Sequence, residues 1–385
     1  MTSVLRILLP RAGATPGVNR LFIGSLAVLA VSFAIAAFNL LTQGHAAFNT
    51  SNYGIAWGLP IVTYDYFLSL ASGLALVAGM ALAFGPGEWL LPARRCAWAG
   101  LAAIAAGGAV LMLELGHPLR SLVAIPFNFQ YVSPMFWKVP LIGVNALLLL
   151  GIVAKVSGMR LPVSSRALGA FLFVAAGLLT VVSASIFGMM AMRPMWYEPM
   201  LPVYALAEAA LLGIACAILI LRFGGGAPAG RFLLEQRASW LLAPLIAISL
   251  VAVVSRAVTG LWSNAEGLQA WAHIVRSPLF FAELAALVLA LGMLLLPAMR
   301  DKPGITPAAA ALVLVAAFIG RYEFIIGGQL VPLFKGSWIP DLIEYAPSLT
   351  EWLLSVIGLS IALAGYALGE RLFGADAESE AVGPS

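Results

Sequence analysis

Titratable side chains occur in this sequence at the ends of long apolar segments. The segment 114–120, "ELGHPLR", follows residues 101–111, which are only Leu, Ala, Ile, Gly and Val. Glu114, His117 and Arg120 together offer a carboxyl group, an imidazole and a guanidinium. The first two can exchange protons, and the third can hold a carboxylate or another anion. These three residues are therefore the first candidates for a functional site.

Further acidic residues lie inside apolar segments, where ionisable groups are costly and usually functional. Asp65 lies about seven residues into its segment, roughly 10 Å at 1.5 Å per residue, and no basic residue follows or precedes it within one turn. Glu208 and Glu283 lie in comparable positions in later segments. A structural role stays open for both, because either can pair with an arginine of a neighbouring helix merely to hold the helices together. His117 and Arg120 can likewise be ordinary interfacial residues.

The elements that position these residues are predicted to be membrane-spanning helices. The 385 residues are 62% hydrophobic and only 10% charged, with a mean hydropathy of +0.99, whereas a soluble domain carries roughly 25% charged residues. The apolar runs are too long for barrel strands of about 10 residues. We predict an all-α integral membrane protein in which residues 1–385 form one polytopic domain and 372–385 a disordered tail. The ten predicted spans are 21–41, 58–84, 96–115, 135–156, 167–190, 200–222, 239–260, 278–298, 306–329 and 349–368.

The distribution of basic residues predicts the orientation of these spans. Of the 21 Lys and Arg residues, 14 fall on the side that carries the N-terminus. The positive-inside rule then predicts that both termini are cytoplasmic, in a bacterial cytoplasmic (inner) membrane. The acids then lie toward the outer face. We expect Asp65 and Glu283 to face one cavity in the outer third of the bundle, with His117 and Arg120 at its rim.

Several kinds of chemistry are excluded by the residues that the spans lack. The three histidines lie outside the middle of the spans, so a haem with two axial ligands is not expected. Cys96 and Cys216 form no CxxC motif, and we expect no metal in this chain. No basic run is interleaved with aromatic residues, so nucleic acid is not an expected partner. A quinone suits the residues that remain, because its carbonyl groups need hydrogen bonds and protons. Acidic residues, a histidine and arginines can supply these, and the apolar surroundings can hold the rest of the molecule.

Five segments of the sequence carry a family resemblance: 57–73, 113–120, 133–137, 192–196 and 321–330. The most specific pair is "LELGHPLR" with "SPMFW" at its spacing. These segments resemble the NrfD/PsrC family, the membrane subunits of respiratory complexes such as polysulfide reductase, and the likeness extends over the whole chain. Ten spans are similar to the longer branch of the family, which includes DsrP and the membrane subunits of some hydrogenases.

The resemblance implies a quinone-reactive anchor subunit of a respiratory oxidoreductase complex, not catalytic alone. It implies menaquinone or ubiquinone as ligand, surrounding membrane lipid, and a ferredoxin-like [4Fe–4S] partner at the periplasmic face, joined to a molybdopterin or other catalytic subunit. Family quinone ligands fall on the second span and on the span before "RPMW". The candidate quinone-binding residues are Tyr64, Asp65, Glu114, His117, Arg120, Ser183, Ser185, Glu208 and Arg256, and the candidate proton-transferring residues are Asp65, Glu114, His117 and Glu283.

Two other functions remain open from the sequence. A proton-coupled transporter would use the same acids, but it favours inverted repeats and helices broken at the midplane, and the sequence shows no convincing internal repeat. A purely structural anchor for a redox partner would need no quinone site, and it would not need Asp65, Glu208 and Glu283 inside its spans. Binding of a quinone analogue separates the structural anchor from the quinone-reactive subunit.

Overall fold

Ten long apolar helices form the protein in a computed structural model, which describes residues 16–51, 54–85, 90–224, 228–263, 267–300, 302, 304–334 and 340–373. Within these ranges the structure contains no strand, so the predicted all-α membrane fold is confirmed. The tail predicted from residue 372 lies, beyond Phe373, outside the described residues. The long helices are α1 (Pro16–Gln43), α2 (Leu59–Phe84), α3 (Leu90–Glu114), α4 (Pro134–Val156), α5 (Ser165–Gly188), α6 (Leu201–Phe223), α7 (Pro228–Trp262), α8 (Pro278–Leu295), α9 (Ile305–Gly327) and α10 (Leu349–Phe373).

Prolines set several helix boundaries. Helices α2, α4, α6 and α8 each carry a proline in the first turn, where its missing N–H group breaks no hydrogen bond. Helix α8 ends at Leu295, three residues before the predicted end, because Pro297 disfavours a helical conformation at the preceding residue. Helix α3 ends at Glu114, and a short helix begins at Pro118, so His117 lies in the predicted bend.

The helices pack as two bundles of four with two additional helices at one side. In the first bundle α2 and α4 each contact α3 and α5, and in the second α6 and α8 each contact α7 and α9. Helix α2 also packs against α6 and α9, so it belongs to the interface between the bundles. Helix α10 packs against α3 and against α1.

Small residues allow the two bundles to approach closely. A Cβ atom added to Gly73 of α2 would overlap the backbone carbonyl oxygen of Ala209 on α6. Gly213, one turn further along α6, faces the backbone of Gly73 in the same way. Backbones in membranes approach this closely only where such residues meet. The α2–α6 contact therefore depends on glycine at these positions.

The alternating direction of the helices gives the bundle two distinct ends. We call the end at which α2, α4, α6, α8 and α10 begin the loop face, because it carries the connections 44–58, 115–133, 189–200, 263–277 and 328–348. At the opposite end α1 begins and α10 ends.

Candidate functional site

A cavity of about 140 Å³ lies between the two bundles, in the half of the protein next to the loop face. Its volume is an order of magnitude above the roughly 10–15 Å³ that one water needs. Residues of α2 and α5 line it from the first bundle, and residues of all four helices of the second bundle complete the wall. A molecule in this cavity would therefore contact both bundles.

A buried arginine of one helix joins acidic residues of two other helices at the cavity wall. One terminal nitrogen of Arg321 on α9 lies 3.0 Å from a carboxylate oxygen of Asp65 on α2. The other lies 2.6 Å from a carboxylate oxygen of Glu208 on α6, and it also donates to Ser69 at 3.3 Å. The planar guanidinium suits this arrangement because its donors point in two directions at once. All four side chains line the cavity.

A second cation reaches Asp65 from the first bundle. The ammonium nitrogen of Lys138 on α4 lies 3.6 Å from the other carboxylate oxygen of Asp65, and it stands 4.8 Å above the ring of Tyr64. Asp65 is only 4% exposed. Asp65 therefore has a cation at each carboxylate oxygen, one from each bundle.

Glu283 and Glu323 form a second acidic pair on the opposite wall of the cavity. They lie on α8 and α9, are buried, and come within hydrogen-bonding reach of each other. A Cβ atom added to Gly320, one turn before Glu323, would meet the carboxylate of Glu283. Among the described residues no Lys or Arg nitrogen lies within salt-bridge distance of either carboxyl group, because Arg256 pairs instead with Glu198 at 3.0 Å.

Hydroxyl groups supply most of the remaining polar lining. The Ser183 hydroxyl is buried without a hydrogen-bond partner, whereas that of Ser185 donates to the Val181 carbonyl oxygen at 2.8 Å and does not line the cavity. Thr180 satisfies its hydroxyl on the Ala176 carbonyl oxygen. The unpartnered Ser183 hydroxyl is thus available to a molecule in the cavity.

Aromatic side chains lie at the end of the cavity nearest the loop face. We call Trp57, Phe187, Trp196 and Phe324 the aromatic lid. The two indole rings stack with centroids 5.3 Å apart, and the Trp196 indole N–H donates to the Phe324 carbonyl oxygen at 2.7 Å. Phe187 and Phe324 also line the cavity. Met195, Trp271 and Ile274 of the loop-face connections line the cavity beside the lid.

The structure brings together only some of the residues that the sequence singled out. Asp65, Ser183, Glu208, Arg256 and Glu283 line the same cavity, as expected for Asp65 and Glu283. Tyr64 and Ser185 do not line it. Tyr64 lies one position from Asp65 and contacts Lys138 instead.

The segment 114–120 lies apart from the cavity. His117 and Arg120 are exposed, Glu114 is half-buried, and none of the three is among the lining residues. Gly116 instead approaches His45, whose ring would contact a Cβ atom placed there. The expected position of His117 and Arg120 at the cavity rim is therefore not the one observed.

Sequence spacing did not reveal three charged residues around the cavity. Arg321 and Lys138 reach Asp65, and Glu323 reaches Glu283, each from another helix. The residue types alone could have indicated a functional site, because charged groups inside predicted spans are rare. Arg321 and Glu323 lie near the predicted end of a span, where an interfacial role was equally consistent.

Glu351, another acid at the loop face, has a structural role. Its carboxylate accepts from the Ser348 backbone N–H at 2.7 Å, while the Ser348 hydroxyl accepts from the Glu351 N–H at 3.2 Å. This is the capping box that starts α10. Burial and the bond to Glu351 raise the pKa of Tyr345, which stays protonated, donates to Glu351 at 2.5 Å and accepts from Leu59 at 2.8 Å.

The fold and the cavity define a multi-pass α-helical membrane protein with an ionic site between two four-helix bundles. Residues 47–333 match the family model described as "Polysulphide reductase, NrfD". Because this match covers most of the chain, the protein belongs to the NrfD family, and the resemblance seen in the sequence is confirmed.

A curated relative agrees with this assignment. The chain is 23% identical to a selenate reductase subunit of Mesobacillus selenatarsenatis, in an alignment that covers 90% of this chain and 92% of that protein. The likeness thus covers most of both proteins.

Proposed function

We propose that this protein is the quinone-reactive membrane subunit of an oxidoreductase complex and that the cavity between the bundles holds the quinone head group. The observation that carries this proposal is a buried, mostly apolar cavity with a few convergent polar groups, the usual character of a small-molecule site. It lies within a member of the NrfD family. The name of its relative, a reductase subunit, supports a role in a reductase complex.

The polar atoms in the cavity suit a quinone ring. A quinone carbonyl accepts hydrogen bonds, and the Ser183 hydroxyl and the Nε atom of Arg321 are buried donors without a partner. Unsatisfied buried donors are costly, so a ligand that accepts from them is stabilised. Phe187, Phe280 and Phe324 offer apolar surface to the ring faces.

The wall of the cavity also offers a route for an apolar tail. Ile248 of α7 lines the cavity and is 48% exposed, and the Glu208 side chain is 28% exposed. These residues lie on neighbouring helices α6 and α7, Ile248 near the middle of its span and Glu208 two turns into its own. A lipid-soluble molecule in the bilayer would therefore reach the cavity between these helices.

The electron-transfer partner is proposed to dock on the loop face, which we place on the periplasmic side of a bacterial inner membrane. A ferredoxin-like [4Fe–4S] subunit, with a molybdopterin or other catalytic subunit, would exchange electrons with the quinone. Exposed apolar side chains occur on this face at Phe127, Phe129, Tyr131 and Val132, as an interface would require. Crosslinks to the iron–sulfur partner that map only to the opposite face would contradict this placement.

Two serines on α5 provide the test of the quinone site. Affinity for a short-chain quinone analogue is measured on the purified protein, and Ser183→Ala should weaken it several-fold, because a net hydrogen bond contributes about 1 kcal/mol. Ser185→Ala is the matched control and should bind like the wild type, since that hydroxyl does not line the cavity. Absence of any binding to the wild-type protein would favour the structural anchor instead.

A further inference from the structure

The four carboxyl groups of the cavity fall into two chemically different pairs. Asp65 and Glu208 both contact the guanidinium of Arg321, and Asp65 also contacts Lys138. Glu283 and Glu323 contact each other, and in the described part of the chain no cation bridges them. The first pair thus has cations in direct contact, whereas the described residues place none in contact with the second.

Two buried carboxyl groups in contact share a proton, because both cannot be ionised side by side without a cation. Glu283 is 6% exposed and Glu323 is 9% exposed, so water screens little of their repulsion. Gly320 leaves the space that the Glu283 carboxylate occupies. The geometry of α8 and α9 thus builds a place for one shared proton.

The pair also presents an open polar atom to the cavity. Both residues line it, and the Oε1 atom of Glu323 is buried without a hydrogen-bond partner. The charged groups on the surrounding helices are Asp65 on α2, Glu208 on α6, Arg256 on α7 and Arg321 on α9. The two arginines are already paired with Asp65, Glu208 and Glu198. A ligand is therefore the natural partner of the free oxygen.

We propose that the Glu283–Glu323 pair holds one shared proton and is the group that trades a further proton with a quinone oxygen, whereas Asp65, which contacts two cations, does not take part in this exchange. This rests on the proposed function. The step is a proton transfer alone: the O–H bond of a bound quinol breaks, its proton forms an O–H bond with a carboxylate oxygen of the pair, and the negative charge stays on the quinol oxygen. In the reverse direction the pair returns the proton. The electrons leave separately to the iron–sulfur partner.

Infrared spectroscopy of the purified protein, with any subunits that accompany it, tests the pair directly. A protonated carboxyl group has a C=O stretching band distinct from the bands of a carboxylate. We expect Glu283→Gln and Glu323→Gln each to abolish or shift such a band, and Asp65→Asn to leave it in place. A band unchanged in both glutamine variants, or lost in Asp65→Asn alone, would overturn the proposal.

A glycine variant keeps both acids in case the glutamine variants do not fold. In Gly320→Ala the new methyl group takes the position of the Glu283 carboxylate, so the band should shift. Gly292→Ala on α8 is the matched control, because nothing lies within 4 Å of the added atom, and its band should equal that of the wild type. An unshifted band in Gly320→Ala would count against the shared proton.

Adding the quinone analogue separates the inference from the function on which it rests. If the analogue binds and the band of the pair shifts, the result supports both the quinone site and the proton-exchanging role of the pair. If the analogue binds and the band does not respond, the pair is not the proton-exchanging group, although the quinone site remains. If the analogue does not bind, the proposed function fails, and the exchange with a quinone fails with it.

Discussion

Arg321 is the residue that joins Asp65 and Glu208 at the cavity wall. Its guanidinium contacts a carboxylate from each bundle, and its own helix belongs to the second. A buried ion pair adds little net stability compared with apolar residues, but removing one partner leaves uncompensated charge. Loss of the arginine would therefore leave the carboxylates of Asp65 and Glu208 without this cation, which is the main reason that it matters.

We predict that Arg321→Ala lowers the free energy of unfolding by about 3–5 kcal/mol, the usual cost of breaking a buried pair. Arg321→Lys should lose less, because it keeps the charge but cannot point donors at Asp65 and Glu208 together. Unfolding of the detergent-solubilised protein measures both. Arg166→Ala, which removes an exposed arginine, is the control; equal stability of Arg321→Ala and this control would refute the role of the network.

The sequence predicted which acids are buried more successfully than it predicted their partners. Asp65, Glu208 and Glu283 stand out because they interrupt apolar segments, and all three line the cavity. The contact of Asp65 with Arg321 depends on how α2 and α9 pack, which sequence spacing does not encode. Glu114, His117 and Arg120 formed the densest polar segment, yet none of them lines the cavity.

At the level of the helices, close backbone contact between α2 and α6 holds the two bundles at the distance that shapes the cavity. The contact is made by Gly73, Ala209 and Gly213, one to two turns from Asp65 and Glu208. A small separation of these helices would pull Asp65 away from Arg321 or Glu208 away from the same guanidinium. Helix packing and the ionic network are therefore coupled.

Gly73→Ala tests this coupling. The methyl group would overlap the Ala209 carbonyl oxygen, so we expect a loss of roughly 1–3 kcal/mol in unfolding free energy, the usual cost of overpacking. Weaker binding of the quinone analogue should accompany it. Gly143→Ala on α4 has nothing within 4 Å of the added atom and should be neutral. If the two variants behave alike, the bundles do not depend on this contact.

The helices themselves were predictable because length and hydropathy suffice to define a span. Their edges shifted where prolines intervened, as at Pro297 after α8. Their arrangement into two bundles was not predictable, because helices that are apolar all round do not reveal which face meets a neighbour.

For the whole molecule, the orientation in the membrane decides on which side the partner subunit docks. The excess of Lys and Arg on the side of the termini predicts that both termini are cytoplasmic. The loop face, with the cavity beneath it, is then periplasmic. With this orientation, a partner subunit that exchanges electrons at the loop face would lie in the periplasm.

Fusions to a reporter that works only in the periplasm test this topology. A reporter after Ser385 should be silent, and one that ends the chain after His273, in a loop-face connection, should be active. The same two fusions with a reporter that works only in the cytoplasm should give the opposite result. Periplasmic activity after Ser385 would invert the orientation and place the partner on the cytoplasmic side.

The most direct measurement is photolabelling of the purified protein with a quinone that carries a light-activated group, followed by identification of the labelled peptides. The account predicts labels on cavity segments of α2, α5, α6, α7, α8 or α9, competed by excess unmodified quinone, and no competed label on residues 114–120. Competed labelling confined to 114–120, or to surfaces away from the cavity, would contradict the assignment of the quinone site to the cavity between the bundles.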